Sequence, residues 1–216
     1  MNRIKISNFS ISIDGFGAGR NQDIKNPLGI KGTELHTWIF ATKTFQTMTG
    51  NEGGANGVDN NIFEKAFENV GCWIMGRNMF GPIRGNWMDE NWKGWWGEEP
   101  PFHAPVFVLT HHKRKPLTMK GGTTFYFVTE GIQHALEEAK KAANGKEIVI
   151  GGGVSTIRQF LKAGHIDEMH VAVSPVFLGT GESLFTDIDM SSMGFNKIQK
   201  IEGENATHYI ISKNKG

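Results

Sequence analysis

Apolar residues at Ile4, Ile6, Phe9, Ile11 and Ile13 recur at nearly every second position, the period of a strand with one buried face. The glycine-rich run Asp14-Gly15-Phe16-Gly17-Ala18-Gly19 ends that strand in a turn. A polar loop through Asn26-Pro27 follows, and the spacing then becomes helical. Thr33 is placed to cap a helix carrying Leu35, Trp38 and Ile39 on one face, and Asp59 to Asn61 to cap another carrying Ile62, Phe63, Ala66 and Phe67. Between them the glycine-dotted stretch from Gly50 to Gly57 reads as a mobile loop.

Short apolar runs then alternate with helical patterns. Strands are expected at Cys72–Met75, Val106–Leu109, Phe125–Val128, Ile148–Ile150 and Met169–Val173. Ile132, Ala135, Leu136 and Ala139 predict a helix that Asn144-Gly145 ends, and Ile157, Phe160 and Leu161 predict one that stops at Gly164. Pro175 closes a strand, Gly179-Thr180-Gly181 turns the chain, and Phe195–Ile201 with His208–Ile211 reads as a hairpin. The alternation predicts an α/β fold whose central sheet is mainly parallel, covered on both faces, with an antiparallel hairpin at the C-terminus. No repeat or linker divides the chain, so residues 1–216 are read as one domain with an aromatic insertion at 84–104.

Composition narrows the function classes. With 23 basic against 22 acidic residues the net charge is +1, so no global field draws nucleic acid or a membrane surface, and local charge must carry any anion binding. Cys72 is the single cysteine, which excludes an intrachain disulfide and a cysteine-built metal site. No pair of histidines stands at i, i+4, so no metal site is expected. The first ten residues lack the apolar core of a signal peptide, and nowhere do about eighteen apolar residues run together, so a cytoplasmic, unprocessed protein is expected.

The chemistry concentrates where strands meet glycines. Gly151, Gly152 and Gly153 follow a buried strand and open a helix, so the backbone can approach a ligand while unpaired helix N–H groups point at it. Val154, Ser155 and Thr156 complete this candidate phosphate site. Gly76-Arg77-Asn78 repeats the logic with a cation at the junction. Thr110, His111, His112 and Lys113, followed by Arg114 and Lys115, end another strand without an acid; that suits the 2′-phosphate of NADP rather than a free ribose hydroxyl. Neither glycine cluster has the spacing and context of a Rossmann fingerprint.

Taken in order, Ser12-Ile13-Asp14-Gly15, Met75-Gly76-Arg77, Val149-Ile150-Gly151-Gly152-Gly153, Leu161 through Glu168, Pro175 through Gly181, and Leu184-Phe185 resemble the dihydrofolate reductase-like family. The likeness is closer to its branch containing the reductase domain of bifunctional riboflavin-biosynthesis enzymes. That resemblance implies an α/β/α sandwich with a mixed sheet, NADPH across the C-terminal ends of the parallel strands, and frequent dimers, for which the C-terminal strands are the expected contact. It implies Gly76, Arg77 and Asn78 on one side of the cofactor, Gly151 to Thr156 around its pyrophosphate and Thr110 to Lys113 at the adenosine phosphate. Ser10 to Asp14, Ser10 and Ile13 among them, would line the nicotinamide end. A cis peptide between the first glycines of the triple also follows from it.

Hydride transfer needs no protein nucleophile, only a positioned nicotinamide, excluded water and a proton source. For that proton the candidates are Glu34, which matches the acid of dihydrofolate reductases loosely, and Asp14; each also has a plain structural reading, as a helix-dipole acid and a turn residue. Trp87, Trp92, Trp95 and Trp96 make the segment before Val106 too aromatic to be solvated, so it is a lid, a subunit contact or core filling. The function expected is an NADPH-dependent reductase of a small heterocyclic or ribosylamino substrate, most specifically 5-amino-6-(5-phosphoribosylamino)uracil. Dihydrofolate reduction, or nucleotide binding without catalysis, are the alternatives.

Overall fold

The structure, a computed structural model, describes residues 2–214. Strands β1 (Ile4–Ser12) and β2 (Phe16–Ala18) precede α1 (Thr37–Phe40), α2 (Lys43–Met48) and α3 (Val58–Lys65). Then come β3 (Val70–Gly76), α4 (Arg77–Phe80), β4 (Pro105–Leu109), β5 (Leu117–Thr118), β6 (Thr124–Val128) and α5 (Ile132–Ala142). The chain closes with β7 (Glu147–Gly152), α6 (Val154–Lys162), β8 (Glu168–Ser174), β9 (Glu182–Ser183), β10 (Phe195–Glu202) and β11 (Thr207–Lys213). Nine strands form one sheet in the order β10-β11-β8-β1-β7-β3-β4-β6-β5, while β2 and β9 pair separately. The five inner pairings from β8 to β6 are parallel, and β5, β11 and β10 are added antiparallel at the two edges. The α/β class and the C-terminal hairpin therefore match expectation, whereas the small sheet and β5 lie in short segments with no periodicity to betray them.

Alternation along the strands divides the core. Ile74, Ile148 and Ile150 face α5 and α6 together with Leu136, Ala139, Ile157 and Phe160. Trp73, Met75 and Val149 point the other way, onto Phe80, Phe102 and Phe125. The near-alternation of β1 has a physical cause. Its register slips between Ile6 and Phe9, and Asn8 sits at φ 53°, so the buried set moves from Ile4 and Ile6 to Phe9 and Ile11 without changing face. Without this bulge Phe9 would point away from the α5–α6 side.

Local readings shift in three places. The helix expected from Thr33 is a 3-10 turn over Gly32–His36 followed by the short α1. Asp59 is not a cap: it lies in the first turn of α3 behind Gly57, and its carboxylate is spent on distant partners. The loop at 50–57 is pinned, with Lys43 donating to the Ala55 carbonyl at 3.0 Å and Ala55 to that of Ala41 at 2.8 Å.

Candidate functional site

The C-terminal ends of the parallel strands open into one cleft of about 1730 Å³. Single drug-sized ligands occupy pockets of about 300–1,000 Å³, so this one has room for two molecules side by side. It has a glycine-walled limb at the ends of β7, β3 and β4 and an aromatic limb between β1, the α1–α3 layer and the tryptophan insertion.

In the first limb Gly151, Gly152 and Gly153 lead into α6, with Val154, Ser155 and Thr156 in its first turn, and all six line the cleft. No side chain caps α6, so the amides of that turn have no partner of their own. A Cβ on Gly153 would meet no protein atom within 4 Å, which makes this a cradle open to a ligand. The cis peptide joins Gly152 to Gly153, one bond later than the resemblance implies. Gly76 lies against the same turn, where a Cβ would fall 2.4 Å from Thr156 Oγ1. Glycine therefore lets the ends of β3 and β7, neighbours in the sheet, close on one ligand.

Arg77, Asn78, Thr110, His111 and His112 line this limb. The Arg77 guanidinium stacks 3.8 Å over the Trp87 ring and donates from Nη1 to the Gly85 carbonyl, leaving Nε and Nη2 buried without partners. Burial first, then the guanidiniums of Arg114 and Arg84, push its pKa below the usual arginine value. A cation this poorly satisfied favours negative charge nearby. Arg84, which the sequence reading passed over, donates to Asn78 Oδ1 at 2.8 Å, and Gln22 accepts from Asn78 Nδ2 at 2.9 Å. The Arg114 guanidinium lies 4.8 Å from the centroid of the same Trp87 ring, and the indole Nε1 donates to the His112 carbonyl at 2.8 Å. The insertion is thus core filling and cleft wall at once: Trp87, Trp92 and Trp96 pack on the sheet, while Trp95 and Trp96 also line the cleft.

Four expected site residues stand elsewhere. Ile13 lies past the end of β1, 52% exposed, with its N–H on the Val176 carbonyl. Lys113 turns to solvent beyond His112 and does not line the cleft. The Asp14 carboxylate accepts from the amides of Leu178 (3.2 Å) and Gly179 (2.7 Å), and hydrogen bonding, led by Ser12, holds its pKa below the usual carboxylate range. It locks a turn and is a poor proton donor. Glu34 is exposed because three residues per 3-10 turn set Thr33 and His36 on the cleft side and Glu34 outside. Ser10 does line the cleft, its hydroxyl accepting from Trp38 Nε1 at 2.9 Å. Cys72 is fully buried, and burial pushes its thiol pKa up to about 12.

A buried chain of hydrogen bonds, unforeseen because its members are far apart in sequence, supports the wall at Ser10. The Asn8 amide donates to His170 Nδ1 at 3.1 Å, His170 Nε2 lies 3.0 Å from His208 Nδ1, and His208 Nε2 lies 2.8 Å from Asp59 Oδ1. Because the Asn8 amide can only donate, both imidazoles carry their proton on Nε2 and each nitrogen is satisfied. Trp38 packs edge-on against His208 at 4.9 Å.

Comparisons with known proteins agree with this fold. Residues 4–207 match the profile of the RibD C-terminal domain. An uncharacterised Bacillus subtilis (strain 168) protein, YyaP, is 29% identical over 119 residues, a stretch spanning 53% of this chain and 59% of that relative. Among solved structures, a candidate riboflavin biosynthesis protein from Shewanella sp. PV-4 shares the fold with a TM-score of 0.57 and 24% identity, over 100% of each chain. The Saccharomyces cerevisiae riboflavin biosynthesis reductase Rib7 superposes with a TM-score of 0.52 at 11% identity over 98% of this chain and 89% of that one. The Thermotoga maritima diaminohydroxyphosphoribosylaminopyrimidine deaminase/5-amino-6-(5-phosphoribosylamino)uracil reductase does so at 0.54 and 10%, over 98% of this chain and 56% of that one. Every residue of the cleft falls inside the profile match, which runs from the first strand to the last, and the chain belongs to the RibD C-terminal domain family.

Proposed function

We propose that the protein is a cytoplasmic reductase that takes NADPH in the glycine-walled limb and reduces a small heterocyclic or ribosylamino substrate in the aromatic limb. The observation that carries this reading is the uncapped first turn of α6 beside the under-satisfied Arg77 guanidinium, two anion sites at neighbouring strand ends. Bound there, NADPH would supply a hydride with its electron pair to an electrophilic carbon and leave as NADP⁺. The amides of Val154 to Thr156 hold the pyrophosphate, while Arg77 and Arg84, with His111 and His112 opposite, receive the adenosine phosphate. Solvent supplies the proton to the atom beside the reduced carbon, since Glu34 and Asp14 stand outside the cleft. The dihydrofolate reading lacks the acid it needs at the first helix. A second copy of the chain is the expected partner, through the C-terminal strands.

Calorimetry with NADPH tests the first half. Micromolar or tighter binding is expected, and Gly153→Ala should weaken it at least tenfold with little change in melting temperature, because the added Cβ meets no protein atom and enters only ligand space. Undiminished affinity would remove the cofactor site. Following NADPH absorbance with 5-amino-6-ribosylaminouracil, with and without its 5-phosphate, tests the second half. Tight NADPH binding without turnover of either leaves nucleotide binding alone.

A further inference from the structure

Two indoles of the insertion form a corner at the rim of the cleft. Trp95 and Trp96 both donate through Nε1 to the Met79 carbonyl, at 2.5 and 2.9 Å, so a single acceptor fixes both rings. Their centroids lie 5.3 Å apart with the planes inclined at 60°, which is an angle between two faces and not a stack. Phe102 holds Trp96 further, edge to face at 4.9 Å. Trp95 keeps 41% of its surface exposed, and both indoles line the cleft.

Charge at this corner is negative and unanswered. Glu99 stands midway along the chain between Trp96 and Phe102, three residues from each, so its Cα lies within about 11 Å of both. It is exposed and lines the cleft, and among the described residues it has no ion-pair partner. Lys93 is paired with Glu98 at 3.0 Å, and Lys120 does not line the cleft. The cations that do line it are Arg77 in α4, Arg84 just after that helix, and Arg158 and Lys162 in α6. Trp87 gives the contrast. It carries guanidiniums at 3.8 and 4.8 Å, whereas among the described residues no arginine or lysine lies over Trp95 or Trp96.

Indole faces attract a cation through the ring quadrupole more strongly than any other side-chain ring, and a carboxylate nearby adds to the attraction. An alkylated ammonium meets both demands, because its methyl groups seat on the rings while its charge is felt by the acid. A bare metal ion is poorly served: among the described residues no three acidic, cysteine or histidine side chains converge.

We infer that the Trp95–Trp96 corner, with Glu99, is a binding site for a small organic cation, an ammonium bearing alkyl groups. The site lies on the insertion and does not rest on the reductase reading.

Choline and its uncharged carbon isostere dimethylbutanol test it, by ligand-observed NMR and tryptophan fluorescence at constant ionic strength without NADPH. Choline should saturate in the millimolar range or below and bind at least fivefold more tightly than the isostere. Glu99→Gln should weaken choline at least threefold and Glu99→Lys should abolish its binding, each with an unchanged melting temperature because the side chain is exposed and unpaired. Trp95→Leu, checked for folding by circular dichroism, should weaken it at least fivefold. No saturation by choline, equal affinity for the isostere, or binding that survives Glu99→Lys would overturn the inference. NADPH is titrated separately against the Glu99 variants: its affinity should not change, and its loss alongside that of choline would show a general disturbance of the cleft and overturn the assignment.

Discussion

Two imidazoles tie stability to pH. Burial lowers the His170 pKa to about 3, with His208 adding to the effect, and that of His36 to about 4, from 6.5 when unfolded. Below pH 6.5 the unfolded chain therefore binds protons that the folded one refuses, and stability falls as pH falls, until the folded pKa values are reached. The slope is up to about 1.4 kcal/mol per pH unit for each ring. Urea denaturation at pH 7.0, 6.0 and 5.0 should show the midpoint dropping at each step, and a flat profile would mean that these rings are solvated. The other residue-scale lesson is Glu34. Its position next to Leu35 is readable, but its direction depends on whether the turn is 3-10 or α, and propensity does not decide between them.

At the scale of elements, the Asp59–His208–His170 chain ties α3, β11 and β8 to the bulge of β1 that forms the cleft wall. Asp59→Ala would leave the His208 Nε2–H and the Asn205 amide without acceptors, a loss of about 3 kcal/mol. Chemical denaturation measures it; a change below about 1 kcal/mol would show that water replaces the carboxylate. The insertion makes a comparable tie. Trp87 lies between Arg77 and Arg114, at 3.8 and 4.8 Å, and each such contact contributes roughly 0.5–2 kcal/mol. Trp87→Ala should free Arg77 and reduce the preference for NADPH over NADH several-fold, read as the ratio of the two dissociation constants. An unchanged ratio would detach the insertion from cofactor choice.

At the scale of the whole molecule, the sheet ends at β5 on one side and at β10 on the other. Most of β10 is exposed, Ile198 at 63%, while Lys197 and Lys200 discourage open-ended strand pairing. A closed pair of chains with Ile198 at its contact fits both facts. Sedimentation should find a dimer that Ile198→Glu dissociates, and a monomer across the accessible concentrations would remove that expectation. The same view explains why the cleft has two limbs. The face of the sheet opposite α5 and α6 is covered in two patches, one around Trp38 and Phe63 and the other around Phe80 and Phe125, and the gap between them is the cleft.

The sequence by itself determined whatever depends on neighbours along the chain. Glycines bracketed by a buried strand and an amphipathic helix mark an open backbone cradle, because the strand, the bare backbone and the unpaired helix amides lie within ten residues of one another. For the same reason the parallel core, the final hairpin and the segment Gly76 to Asn78 were legible. Only the tertiary structure decided what depends on direction and on distant partners. It turned Ile13, Asp14, Glu34 and Lys113 out of the cleft, brought Arg84 and Gln22 to Asn78, and joined Asp59 to His208 across 149 positions. The aromatic limb belongs to this second kind, since Phe63 and Phe67 read locally as one face of a helix and Trp73 as part of a buried strand. Periodicity reports that a side chain leaves water, and packing alone decides whether it meets protein or the space kept for a ligand.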